Sequence, residues 1–122
     1  MDLVIGGKYQ GKLRWAMEHY GISEKEVVMA DKPSAGIKAV DHLEQWIGRL
    51  LTEGKSPLEE ILLVLEQNPD LILLCDEVGN GVVPMERKDR EYREGVGRTC
   101  CELAKKADRV YRVWCGIASQ IK

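Results

Sequence analysis

The chain has 122 residues, 44% hydrophobic and 31% charged, a composition ordinary for a globular protein and unlike a disordered or membrane chain. That length predicts one domain over residues 1–122, burying roughly two-thirds of the surface its unfolded chain exposes. A net charge of −2 gives no electrostatic basis for binding nucleic acid or an anionic membrane.

No apolar run approaches the length of a membrane span, the longest candidate being residues 61–65. Asp2 and the strand that follows leave no room for a basic, apolar leader, so a cytoplasmic protein is expected. The four cysteines, Cys75, Cys100, Cys101 and Cys115, form no C-x-x-C pair and have no interleaved histidine. That pattern argues against zinc and for reduced thiols packed as small apolar groups.

In chain order, residues 2–6 read as a strand, and Gly6-Gly7-Lys8-Tyr9-Gln10-Gly11-Lys12 follows it. This stretch meets every requirement of a G-x-x-x-x-G-K-[ST] phosphate-binding loop except the last, where Leu13 stands. Glycines let such a loop curl tightly, so that its amides cradle phosphate oxygens while the lysine adds a point charge. Residues 12–20 read as a helix with its positive end toward the phosphates, ending near Gly21. Leu13 offers no oxygen to a bridging Mg²⁺, so phosphate binding survives and metal positioning weakens. The plainer alternative is a glycine turn that merely joins strand to helix.

Residues 26–30 predict a second strand, 31–36 a turn-rich connector, and 37–40 a short strand ending at Asp41. Leu43, Trp46, Ile47, Leu50 and Leu51 recur at helical spacing. Ser56, Pro57 and Glu59 mark the start of a helix running to about Gln67, with Ser56 as N-cap and Pro57 at the first position. Residues 71–75 form a continuous apolar strand, as expected where helices cover both faces of a sheet. The loop Gly79-Asn80-Gly81-Val82-Val83-Pro84 precedes a polar helix over residues 87–107, and residues 110–114 close the sheet. The alternation predicts a three-layer α/β fold with a mainly parallel sheet.

Leu74-Cys75-Asp76-Glu77-Val78-Gly79-Asn80-Gly81-Val82-Val83-Pro84 resembles the N-E-V-G-x-G-[IV]-V-P signature of the bifunctional adenosylcobinamide kinase / adenosylcobinamide-phosphate guanylyltransferases. Arg90, Tyr92 and Arg93 fall on that family's R-x-[FY]-R, Gly97-Arg98 on its G-R, and Ala107-Asp108 on its A-D. Gly116-Ile117 and Ile121-Lys122 fall on its closing residues. Upstream, Val40-Asp41-His42-Leu43 with Trp46 and Leu50-Leu51 resembles its L-D-C-L-T-x-W-x-x-N-L-L, and the first 16 residues resemble its opening glycine loop.

The resemblance implies a phosphate-loop NTPase-like fold, ATP or GTP and Mg²⁺ as ligands, and a homo-oligomer. It further implies phosphorylation of the hydroxyl of a corrinoid aminopropanol arm, followed by guanylyl transfer through a histidine. The chain departs from the pattern in several places. The family's long segment carrying that histidine is replaced by residues 31–40. Glu44 and Arg49 stand for its threonine and asparagine, and Cys100-Cys101 for its N-Q. Guanylyl transfer by the family mechanism therefore has no candidate residue here. An inactive paralogue that binds nucleotide or phosphate, or partners a full-length enzyme, is the alternative reading.

Gly6, Gly7, Lys8, Tyr9, Gln10, Gly11, Lys12 and Leu13 are the expected nucleotide contacts, and Lys12, Asp41 and Glu77 the expected catalytic groups. Asp41, at a strand end, reads either as an Mg²⁺-holding carboxylate or as the N-cap of the following helix. Glu77 reads as a group activating an acceptor hydroxyl or ordering Mg²⁺, or as a solvated loop-mouth residue. Gly6, Asp41 and Glu77 all lie at carboxyl ends of strands, where ligands gather in α/β sheets. Arg90, Arg93 and Arg98 read as phosphate clamps or, preferably, as members of a solvated charged face. His42 is more plausibly structural than a base, and in an extended chain it would point away from the side that Asp41 faces. His19 lies two turns into the first helix. Trp15, Trp46 and Trp114 read as core or subunit-contact residues.

Overall fold

The computed structural model describes residues 1–78 and 86–122. The loop read at 79–84, and with it most of the signature string, lies outside the described residues. The elements are β1 (Asp2–Gly6), α1 (Lys12–Tyr20), β2 (Val27–Met29), β3 (Ala39–Asp41), α2 (Leu43–Thr52), α3 (Pro57–Gln67), β4 (Ile72–Asp76), α4 (Arg87–Lys106), β5 (Arg109–Trp114) and β6 (Ile117–Gln120). A 3-10 turn, Glu24–Glu26, leads into β2 and is capped by Ser23.

The six strands form one sheet in the order β2-β3-β4-β1-β5-β6. All neighbours are parallel except the last pair, β5 and β6. β1 is central, in register with β4 from Asp2 opposite Ile72 to Gly6 opposite Asp76, and with β5 on its other side.

Helices on both faces explain why the strands are apolar without alternation. Leu3, Val40, Leu73 and Val110 point toward α2, α3 and α4, where Trp46, Ile47, Ile61 and Leu103 are buried. Val4, Ala39, Leu74 and Val113 point the other way, toward α1 with Ala16 and the partly buried Leu13, Trp15 and Met17. This is the mainly parallel three-layer α/β arrangement that the sequence predicts.

Ser56 caps α3 as predicted, its hydroxyl accepting from the Glu59 amide at 3.4 Å, with Pro57 first in the helix. Several strand bounds shift by one or two residues, β3 for example starting at Ala39 rather than at 37, and two differences matter for the site and the sheet. β4 runs to Asp76 rather than Cys75, which makes Asp76 a strand-end residue. The sheet is closed by β6 rather than by β5. Cys115 and Gly116, both at positive φ (52° and 75°), form the two-residue turn that joins them. A cysteine at the first turn position, followed by the polar Ser119 and Gln120, hides this hairpin from sequence reading.

Trp46 is fully buried in the core, whereas Trp114 is exposed and stacks beneath the Arg112 guanidinium at 5.9 Å. Trp15 packs against His19, Tyr20 and Tyr111, which fixes His19 in an aromatic group on α1. Arg98 pairs with Glu94 at 3.1 Å and Arg87 with Glu91 at 3.0 Å along α4, the solvated charged face expected there. Among the described residues no helix is long and apolar enough to cross a membrane.

Candidate functional site

The glycines of the first loop are there for steric reasons. A Cβ on Gly6 would lie 2.5 Å from the Val113 carbonyl oxygen, closer than real contacts allow, so β1 and β5 can approach only with glycine here. Gly11, at φ 86°, takes the left-handed conformation needed to turn the chain into α1. Between them, Tyr9 is also left-handed and fully exposed. Gln10 ties the loop to the β5–β6 turn: its side-chain oxygen accepts from the Cys115 amide and its carbonyl from the Gly116 amide, both at 2.7 Å.

The Trp15 amide bonds back to Gly11 at 3.0 Å, so the amides of Lys12, Leu13 and Arg14 precede the helical ladder. No acidic residue stands in this first turn. The positive end of α1 thus carries no acid of its own, which suits an anion.

Lys12 folds back beneath the loop. Its ammonium donates to the Gly7 carbonyl at 2.8 Å and pairs with Asp76 Oδ1 at 2.6 Å, in a bridge whose side chains are only 6% and 5% exposed. Gly6 and Asp76 are register partners at the ends of β1 and β4, which is what brings loop and acid together. Asp41 ends β3 at the same edge of the sheet and is likewise buried. Leu13 is half-buried and packs with the α1-side core.

Asp41 is not the helix cap. His42 occupies that position of α2, with no side-chain cap hydrogen bond, and Asp41 Oδ1 accepts from the His42 amide at 2.8 Å. Nor does His42 point away. At φ 53° the chain is not extended, and the ring turns back into the site. Its Nε2 lies 3.8 Å from Asp41 Oδ2, while Nδ1 lies 3.3 Å from Glu44 Oε2 and 3.9 Å from Asp76 Oδ2. Glu44 is itself buried, its other oxygen accepting from the Asp76 amide at 2.9 Å. Asp76 Oδ2 is buried with no hydrogen-bond partner among the described residues.

A cleft of about 410 Å³ opens over these groups, walled by the loop residues Lys8 and Tyr9, by Lys12 and Leu13, and by Asp41 and His42. A neighbouring cleft of about 440 Å³ shares Lys8 and Asp76 with it and continues to Glu77, Tyr92 and Arg93. Burial, reinforced by the charges of Glu44, Cys75 and Asp76, pushes the Tyr92 phenol up to about 12. Cys75 and Cys100 touch at 3.6 Å beneath this floor. Contact with Cys100 and burial hold the Cys75 thiol well above its ordinary range, so it is an inert core group.

The structure therefore brings together the loop, Lys12, Leu13 and Asp41 as the sequence predicts. Glu77 sits apart from the phosphate-loop cleft, its carboxylate on the Arg112 guanidinium at 3.1 Å. Asp76, Glu44 and the orientation of His42 were missed. Asp76 is an acid directly after an apolar strand run, and that was the readable signal. Glu44 gave none, because its burial depends on α2 packing over β4.

A mainly parallel sheet sandwiched by helices, with a glycine loop leading from its central strand into a helix, defines the phosphate-loop NTPase-like class of α/β fold. Within that class the chain belongs to the cobinamide kinase / cobinamide phosphate guanyltransferase family, which it matches over residues 17–121. It is similar to the bifunctional adenosylcobalamin biosynthesis protein CobU of Salmonella typhimurium strain LT2, at 35% identity over 81 residues. The protein of the same description from Escherichia coli K12 is 28% identical over 81 residues. Each alignment covers 65% of this chain and 45% of the relative, so the chain spans about half the length of the curated relatives it matches. The family match begins inside α1, leaving the loop of residues 7–11 to be judged on its own geometry.

Proposed function

We propose that the chain is a nucleotide-binding protein of cobalamin biosynthesis that holds the phosphates of ATP or GTP on the loop of residues 7–11 and the amino end of α1. The observation that carries this reading is the pairing of a helix start free of acidic residues with Lys12, seated under the loop at the carboxyl edge of the sheet. In it, the amides of Gly7 to Leu13 and the Lys12 ammonium bind phosphate oxygens, and Tyr9 and Lys8 line the mouth. The activity proposed is at most phosphoryl transfer to a corrinoid hydroxyl. Guanylyl transfer is absent, because both nitrogens of His42 face carboxylates and His19 is held in the aromatic group on α1.

The donors at the sheet edge suit a cation, since the buried Asp76 Oδ2 has no hydrogen-bond partner among the described residues. Asp41 and Asp76 would hold Mg²⁺ there, and bound with nucleotide it would neutralise charge on the outer phosphates. Leu13 supplies no third oxygen, and this favours the second reading, a paralogue that binds nucleotide without turnover. A single nucleotide-binding domain over residues 1–122, cytoplasmic and assembled as a homo-oligomer, belongs to the same proposal.

The test is calorimetry with ATP and GTP, followed by phosphoryl transfer assays on adenosylcobinamide with Mg²⁺. Lys12→Ala, measured well below its own unfolding temperature, should bind triphosphate more weakly. Equal affinity of parent and variant refutes the phosphate-loop reading. Binding without turnover selects the inactive paralogue.

A further inference from the structure

We propose that His42, Glu44 and Asp76 form a protein-held site for a first-row divalent transition metal, occupied without any nucleotide. It deepens the proposed phosphate site: at the metal position that Leu13 leaves unserved, the ion displaces Mg²⁺ from Asp76 and leaves Asp41 as an outer partner, but its ligands and its test do not depend on nucleotide binding. Three independent observations converge on it.

The first is geometric. One ligand atom from each of the three side chains lies within 4.8 Å of the others, with His42 Nδ1 and Glu44 Oε2 already 3.3 Å apart. Ligands at about 2.1 Å around a tetrahedral ion are roughly 3.4 Å from one another, so a small contraction closes the set.

The second is electrostatic. Asp41, Glu44 and Asp76 are all buried, and Lys12 is the ammonium paired among them. Three buried carboxylates thus gather around one imidazole, with the Lys12 ammonium paired to one of them. Buried charge of one sign is costly unless compensated, and a divalent cation carries the compensating charge. The third is the orphan: Asp76 gives Oδ1 to Lys12, while its buried Oδ2 faces His42 and accepts no hydrogen bond among the described residues.

The donor set, one imidazole and two carboxylates, suits Mn²⁺, Co²⁺ or Zn²⁺ better than Mg²⁺, which takes oxygen ligands. The cysteine spacing argued against zinc only as a thiolate site. Asp41 completes the arrangement from outside: it stands 3.8 Å from Nε2, on the far side of the ring from Nδ1, where an outer carboxylate orients a metal-bound histidine. His42 and Asp76 line the cleft together with Lys12 and Leu13.

The experiment is titration of the full chain, freed of metal by chelator and without nucleotide, with Co²⁺ followed by visible absorption, and with Zn²⁺ and Mg²⁺ in competition. Saturable binding of one ion per chain is expected, with ligand-field bands, no thiolate charge-transfer band, and Mg²⁺ a weak competitor. His42→Gln and Glu44→Gln should each weaken it by at least about tenfold, the lower bound even for losing an outer-shell partner. No saturable binding, unchanged affinity in His42→Gln, a thiolate band, or equal competition by Mg²⁺ overturns the proposal. If a variant does not fold, the parent decides alone: Zn²⁺ must raise its unfolding temperature and chelator must reverse the rise. A parent that binds metal but no triphosphate upholds this site and refutes only the phosphate-loop reading.

Discussion

Exchanging Lys12 for methionine should destabilise the protein far more than exchanging its partner Asp76 for asparagine. At 2.6 Å and an effective dielectric of about 20, their attraction is about 6 kcal/mol. Desolvating two buried ions costs several kcal/mol each, so the intact pair nets little. Removing one partner is another matter, with a typical cost of about 3–5 kcal/mol for the charge left behind. Lys12→Met removes the ammonium paired with Asp76 and leaves that buried carboxylate without it, so the full cost applies. For a chain of this size that corresponds to a fall in Tm of roughly 12–20 °C. Asp76→Asn instead removes one of three clustered negative charges and leaves Lys12 its bond to Gly7, so a loss below about 2 kcal/mol is expected. Adding Asp76→Asn to Lys12→Met should recover stability, a favourable coupling of more than about 1 kcal/mol. Metal-free protein, unfolded by urea and by heat at neutral pH, provides the assay. Equal losses in the two single variants, or a double variant no better than Lys12→Met, would refute the role given to Lys12 as the partner of the acidic cluster.

Four further outcomes are expected. Leu13→Ser should strengthen nucleotide binding in the presence of Mg²⁺ but not in its absence, as read by calorimetry, because it restores an oxygen at the metal position; no gain leaves the loop a plain turn. Incubation with α-labelled GTP and Mg²⁺ should leave no acid-labile, alkali-stable label on the chain, and stoichiometric label would contradict the account of His42. Gly6→Ala should lower the urea midpoint by an amount worth about 1–3 kcal/mol or more, because the Val113 carbonyl cannot retreat without disturbing β5. Tyr20 donates to Asp2 at 2.6 Å, and burial with that bond raises its phenol above its ordinary value. A group raised on folding stabilises below its unfolded pKa, so wild-type stability should fall as pH climbs past about 10, and Tyr20→Phe should flatten that decline in urea titrations.

The fold was largely legible because its signals are local. Ser56, Pro57 and Glu59 carry a helix start within four residues, and the run Leu71 to Leu74 is short enough, with Pro69 just before it, to read as a buried strand. Lys12 was legible for the same reason, sitting at a fixed offset from Gly6 and Gly11. The acidic cluster was not, because no spacing in the sequence relates Glu44 to Asp76. Their meeting depends on α2 crossing β4, and on one dihedral angle at His42 that reverses the direction its neighbour suggests. The hairpin ending in β6 escaped notice because its turn carries cysteine where asparagine is usual.

The place of β1 in the sheet also sets the order in which the chain can mature. Its neighbours β4 and β5 are synthesised about 70 and 107 positions after it, judging by the pairing of Asp2 with Ile72 and Arg109. The anchor for Gln10 is the turn at Cys115 and Gly116. The loop is thus translated well before the elements that shape it. On the ribosome, Leu3-Val4-Ile5 must wait as an unpaired apolar strand until β4 emerges, a window open to misassociation. A ligand recognised by that loop can hold the finished protein but cannot guide its early folding, so nucleotide should slow unfolding far more than it speeds refolding.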